Sequence, residues 1–199
     1  MTTPTPTFTV DWFSNNIPIW NKYFNKLQDT KVYALEIGSF EGRSSIWMLE
    51  NILKHKKSKL TCIDNFATSQ KTLKTFQTNI KSYGKKVKLL VGNSSDVLKK
   101  PIMLKNKFDF IYIDAGHHSK NVLEDAILSF PLLNEGGYMV FDDYTTNDKH
   151  DYTCPKKGID AFLDVYANEI KVIYSRWQVI LVKVSPKRKV KSCKSEFYV

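Results

Sequence analysis

The 199-residue sequence is short of cysteine, arginine and long apolar runs. Its three cysteines, Cys62, Cys154 and Cys193, are far apart, odd in number and never in a CxxC pair. That argues against a disulfide framework and against a cysteine-built zinc site, and it fits a reducing, cytoplasmic setting. Arginine occurs only as Arg43, Arg176 and Arg188, so lysine carries nearly all of the +10 net charge. Lysine is a point charge without the bidentate fork that phosphate readers favour, and these lysines are scattered. The charge alone therefore does not make a nucleic-acid binder. No stretch approaches the roughly 18 consecutive apolar residues that a membrane helix needs. Met1 to Thr7 has no basic start followed by an apolar run, so it reads as a short extended leader and not as a secretory signal.

What is present is an alternation of apolar strands and amphipathic helices. Val10 to Leu27 carries aromatic residues at spacings of three and four and predicts a helix, with Pro18 near its start. Strands are expected at Lys31–Ile37, Leu60–Asp64, Val87–Val91, Phe108–Ile113 and Tyr138–Phe141. Helices are expected at Arg43–Leu53, Lys71–Tyr83, Val122–Leu133 and Ile159–Tyr166. Ile170–Tyr174 and Val179–Val184 lie too close together for a parallel crossover and form a hairpin. The pattern predicts an α/β fold: a doubly wound, mostly parallel, seven-stranded Rossmann-like sheet with an antiparallel C-terminal strand. Residues 1–30 form a leader and helix, 31–184 the main domain, and 185–199 a basic tail.

The stretch from Phe108 to His118 organises the rest. A buried strand ends at the acid Asp114 and turns through Gly116 into His117 and His118. Open α/β sheets bind ligands at the carboxyl ends of their strands, so Asp114 and His117 are candidate site residues. Asp142 follows Asp114 by 28 positions, close to one strand–helix–strand repeat, so the two acids close neighbouring strands. The polar segment Tyr144–Gly158 follows them and is expected to be a long loop bordering the substrate site, with Trp12 and Phe13 facing it.

The loop after the first strand, Glu36-Ile37-Gly38-Ser39-Phe40-Glu41-Gly42, lacks both the G-x-G-x-x-G of dinucleotide sites and a Walker lysine. Glu36 beside it suits an amine-bearing ligand and repels phosphate. Asp64, at the end of the second strand, is placed to accept hydrogen bonds from a ribose diol. An amine-bearing nucleoside without phosphate describes S-adenosylmethionine.

Together, Leu35–Gly42, Ile63-Asp64, Ile113–His117 and Leu133–Tyr144 resemble the class I S-adenosylmethionine-dependent methyltransferases. More narrowly, they resemble the branch with Asp-x-x-His and Asp-Asp-Tyr motifs, which includes metal-dependent O-methyltransferases of sugars and other small hydroxylated compounds. The resemblance implies that Glu36, Gly38, Ser39 and Gly42 hold the methionine part of the cofactor. It places Asp64 on the ribose, Asn93 and Ser94 beside the adenine, and Asp114 against cofactor and metal alike. Asp114, Asp142 and Asp143 are hard oxygen donors suited to Mg²⁺ or a similar divalent cation, which would position a substrate hydroxyl. His117 is the expected general base, since imidazole titrates near neutrality.

Two other readings compete. An RNA 2′-O-methyltransferase resembles its relatives in a Lys-Asp-Lys-Glu tetrad, but Val179–Val184 offers no Glu. Base amino-group methyltransferases carry Asn/Asp-Pro-Pro after the fourth strand, where this chain has Asp114-Ala115-Gly116-His117. Nucleic acid is thus disfavoured as a partner. A non-catalytic S-adenosylmethionine-binding scaffold has no need of the Asp114, His117, Asp142 and Asp143 set. The expected partner is a small-molecule or sugar acceptor, with self-association open and no membrane.

Overall fold

The apolar runs become strands. The computed structural model describes residues 5–145 and 154–186, and the statements below concern these. The start of the leader, residues 146–153 and the tail from 187 onward, with His150 and Cys193, lie outside them. Strands β1 (Tyr33–Ile37), β2 (Lys59–Asp64), β3 (Val87–Val91), β4 (Phe108–Ile113), β5 (Leu133–Phe141), β6 (Ile170–Ser175) and β7 (Val179–Lys183) form one seven-stranded sheet in the order β3-β2-β1-β4-β5-β7-β6. The β1–β2, β1–β4, β2–β3 and β4–β5 pairs are parallel. Strand β7 runs antiparallel to both β5 and β6. The Rossmann-like sheet expected from the alternation is the one observed.

Helices α1 (Ile17–Phe24), α2 (Arg43–Asn51), α3 (Gln70–Ile80), α4 (Ser94–Leu98), α5 (Pro101–Leu104), α6 (Ser119–Ser129) and α7 (Pro155–Val165) accompany it. Alternation along β4 divides the core in two. Ile111 and Ile113 pack with Val122, Ala126 and Phe162 on one face, while Phe110 and Tyr112 pack with Trp20, Phe24 and Met48 on the other. Among the described residues no helix is long and apolar enough to cross a membrane.

Three expectations change, each for a local reason. The N-terminal helix is regular only over Ile17–Phe24, because the Asp11 carboxylate accepts from the Phe13 and Ser14 amides and holds residues before it in a turn. The predicted turn at Asn134–Gly137 lies inside β5, where the pairing with β4 shifts register and Gly136 takes φ +76°. The long loop after the acid pair is shorter than expected, since Pro155 starts α7. That helix lies so close to α6 that a Cβ on Gly158 would come 2.1 Å from the Ser119 carbonyl oxygen. The Ser119 hydroxyl also donates to the Cys154 carbonyl at 2.6 Å. The chain leaving Asp143 is thereby returned to the sheet beside the His117 turn.

Candidate active site

Backbone bonds of the sheet continue past the strand ends and fix the site. Gly38 N–H donates to Ile63 O at 2.9 Å, Asp114 N–H to Ile37 O at 2.8 Å, and Asp142 N–H to Ile113 O at 3.1 Å. The glycine loop, Asp64, Asp114 and Asp142 therefore stand in a row at one edge, on rigid elements.

A cavity of about 320 Å³ opens there, lined by Gly38, Ser39, Asp64, Ser94, Asp114 and His117 among others. Gly38 is required by close approach, because a Cβ on it would sit 1.8 Å from the Asp114 carbonyl oxygen. The Asp64 carboxylate receives the Ser39 and Phe40 amides on Oδ2, at 2.8 and 2.9 Å, and the Phe66 amide on Oδ1 at 2.6 Å. Asp64 thus shapes the glycine loop; Oδ2 is filled by two amides, and Oδ1 keeps a further acceptor site. Asn93 stands back from the cavity lining, where its side chain accepts from Asn65.

Glu36 is placed differently from the sequence-based expectation. Its side chain is fully buried beneath the loop and does not line the cavity. It accepts from the Ser44 hydroxyl at 2.5 Å, from the Ser45 hydroxyl, and from the Cys62 thiol at 3.5 Å. Period two turns its side chain to the α2 side of the sheet, where it pins α2 to β1. Burial raises its pKa, against the lowering pull of the serine hydroxyls. The unfolded chain releases this proton near the ordinary value of 4.5, while the folded protein keeps it to higher pH. Between those values the native state binds more protons, so this group's contribution to stability falls as pH rises. Urea unfolding over a pH series is expected to show wild type losing stability relative to Glu36→Gln from pH 4.5 upward. A difference that stays constant with pH, or that moves in favour of wild type as pH rises, would contradict the assignment.

An N-terminal strap covers the loop. The Thr9 amide and hydroxyl donate to Glu41 at 2.6 and 3.0 Å, and Thr7 exchanges backbone bonds with the Asn79 amide at 3.0 and 2.8 Å. Arg43 pairs with Asp11 at 3.2 Å. These bonds carry the strap to Trp12, whose ring lies 5.1 Å from that of Phe40. Phe13, expected at the acceptor site, is instead mostly buried, packed edge-on against Trp20.

A second cavity of about 940 Å³ shares Trp12, Phe40, Asp114 and His117 with the first and adds Asn16, Asp142, Asp143 and Trp177. Two of its acids, Asp114 and Asp142, meet at one tyrosine hydroxyl. The Tyr112 hydroxyl lies 2.9 Å from Asp114 Oδ2 and 2.5 Å from Asp142 Oδ2. Burial and the Asp142 charge raise the Asp114 pKa; burial likewise raises that of Asp142. Asn16 donates to Asp142 at 3.4 Å and accepts from the Trp177 indole at 2.8 Å. His117 Nε2 is 3.3 Å from Asp143 Oδ2, and Asp143 adopts the left-handed conformation at φ +57°. Among the described residues no three His, Cys, Asp or Glu side chains stand as a formed metal cluster. The donor chemistry of the cavity is that of a hard cation: the half-buried Asp114 and Asp142 carboxylates offer oxygen at one place, and Asp143 is the next residue along the chain.

Residues 35–144 match the sequence profile of a methyltransferase domain family, over half of this chain. The chain belongs to this methyltransferase domain family. The chain is 33% identical over 124 residues to an uncharacterised protein of Acanthamoeba polyphaga mimivirus, a match covering 60% of this chain and 55% of that protein. Its fold is similar to that of the O-methyltransferase TomG from Streptomyces achromogenes, solved with S-adenosylmethionine, at TM-score 0.67 and 18% identity over 90% of this chain and 83% of TomG. It is similar to a Bacillus cereus O-methyltransferase solved with S-adenosylhomocysteine, at TM-score 0.65 and 20% identity over 92% and 84%. It also resembles MycE of the mycinamycin biosynthetic pathway, solved with Mg, S-adenosylhomocysteine and mycinamycin VI, at TM-score 0.65 and 14% identity. The chain covers 52% of MycE and is itself covered to 92%.

Tyr112, Asn16 and Trp177 escape the sequence reading. Tyr112 carries a usable signal, since it stands two residues before Asp114 and shares its side of the strand. Asn16 and Trp177 are 161 positions apart, and nothing local joins them.

Proposed function

We propose that residues 31–184 form an S-adenosylmethionine-dependent O-methyltransferase acting on a hydroxyl of a sugar or other small hydroxylated compound. The observation that carries this reading is the meeting of the two cavities at Asp114 and His117. The smaller lies on the glycine loop and takes the cofactor, with Gly38, Ser39 and Gly42 at its methionine part, Asp64 at its ribose, and Ser94 with Asn93 toward its adenine. Glu36 acts from below by holding α2 against the loop. The larger takes the acceptor, whose ring lies against the exposed faces of Trp12 and Trp177 above the acids.

Asp114, Asp142 and Asp143 would hold a divalent cation, Mg²⁺ by its preference for oxygen, which when bound lowers the pKa of an acceptor hydroxyl. His117 takes the hydroxyl proton. Its Nε2 lies 3.3 Å from Asp143 Oδ2, so this acid would orient the ring. Methyl transfer then joins acceptor oxygen to the sulfonium methyl carbon and releases S-adenosylhomocysteine.

Calorimetry with S-adenosylmethionine, with and without Mg²⁺, followed by methyl transfer onto pooled hydroxylated acceptors, tests the reading. Cofactor binding and methylation that a chelator suppresses are expected; binding with no transfer to any acceptor favours a scaffold. His117→Ala is expected to lower kcat about 10²- to 10⁴-fold while cofactor affinity stays within about threefold. A mutant that loses cofactor binding first makes His117 a binding residue.

A further inference from the structure

We propose that the amino-terminal edge of the sheet, opposite the active site, carries a second binding site, for a compact polyphosphate anion. A cavity of about 540 Å³ there is walled by six lysines: Lys59, Lys85, Lys86, Lys88, Lys105 and Lys107. They arrive from three separate places: the start of β2, the entry to β3, and the turn from α5 into β4. The pairing of Tyr33 with Lys59 and of Thr61 with Lys88 sets these segments side by side, and the row from β3 to β4 crosses three strand spacings, about 14 Å.

Among the described residues none of the six lysines is in an ion pair. The Asp109 carboxylate beside the cavity accepts from the Tyr33 amide at 2.9 Å and from Asn134 at 2.7 Å, and it pairs with none of the six. Lys59 and Lys107 each give one hydrogen bond to a backbone carbonyl, of Lys85 at 2.8 Å and Pro131 at 2.7 Å, and an ammonium has three to give. Burial and the neighbouring Lys59 lower the pKa of Lys86, so these two ammonium groups repel each other and an anion between them would relieve it.

Size and chemistry select the ligand. The volume is that of a small-molecule site. Several point charges without the planar fork of arginine suit clustered phosphate oxygens more than a single oriented carboxylate. Single-stranded nucleic acid wants open aromatic faces on which bases stack. Here Phe108 is buried, and the Tyr33 ring has the Lys31 ammonium 5.1 Å from its centroid. The phosphates belong either to a nucleotide or to a free inorganic chain.

The test titrates the full-length protein at physiological salt with tripolyphosphate, cytidine triphosphate, inorganic phosphate and a single-stranded oligouridylate. Tripolyphosphate is expected to bind at least tenfold more tightly than inorganic phosphate, and Lys86→Gln/Lys88→Gln/Lys105→Gln to weaken it at least tenfold with S-adenosylmethionine affinity unchanged. The single exposed change Lys88→Glu gives the same direction should the triple variant fail to fold. Cytidine triphosphate binding more tightly than tripolyphosphate identifies a nucleotide as the source; equal or weaker binding identifies the inorganic chain. Tripolyphosphate binding no tighter than phosphate, or unmoved by the substitutions, overturns the proposal. So does tight oligouridylate binding without tripolyphosphate binding, which would make the face a nucleic-acid surface.

Discussion

Gly38→Ala is expected to weaken S-adenosylmethionine binding at least 100-fold and to destabilise the fold by about 3–5 kcal/mol. Two penalties combine at this position. Its φ of +88° is strained for any L side chain. The added methyl would also lie 1.8 Å from the Asp114 carbonyl oxygen and 2.8 Å from the Ala115 Cα, both backbone atoms at the end of a central strand. Neither can swing aside as a side chain can. Relief requires β1 and β4 to part where Asp114 N–H meets Ile37 O, and this shifts the cofactor loop and the acid together. Gly84→Ala is the control, with positive φ, +50°, and no atom within 4 Å of the new methyl. It is expected to cost about 1–3 kcal/mol and to leave cofactor binding intact. Urea unfolding and calorimetry on both variants decide the matter. Equal effects at the two sites would mean that conformation, and not close approach, makes Gly38 necessary.

The sheet was legible because its strands are buried on both faces and read as apolar runs closed by glycine or an acid. Asp114 and Asp142 could be placed on adjacent strands from their interval alone, and the structure puts them on one tyrosine hydroxyl. What escaped depends on side-chain direction and on distance along the chain. Glu36 lies beside the glycine loop in sequence, yet strand alternation buries it under α2, where Ser44 and Ser45 receive it. The strap depends on Thr9 meeting Glu41 and Thr7 meeting Asn79, pairings with no periodicity to announce them. The lysine cavity was hidden for the same reason. Its residues look scattered in sequence, and only the parallel register gathers them.

Asp142→Asn is expected to raise stability near neutral pH by about 1 kcal/mol and to lower turnover about 10³-fold. The Tyr112 hydroxyl has a single proton to donate, and two half-buried carboxylate oxygens stand at 2.9 and 2.5 Å from it. Asp142 also accepts from Asn16 and from the Asp143 amide, so Asp114 is the acid left short beside a like charge when the proton goes to Asp142, and burial together with that charge raises the pKa of Asp114. Asparagine at 142 keeps the shape and an acceptor for Asn16 and Tyr112 while removing the repulsion. The gain in stability comes from the same change that removes an anionic oxygen from the proposed cation and acceptor site. A protein that is more stable and inactive is the signature of two acids kept together for chemistry and against folding. Thermal unfolding and single-turnover methylation, run on the same preparation, read both halves. A destabilised Asp142→Asn protein would mean that the acid pair is already satisfied within the fold, and an active one would remove Asp142 from the chemistry.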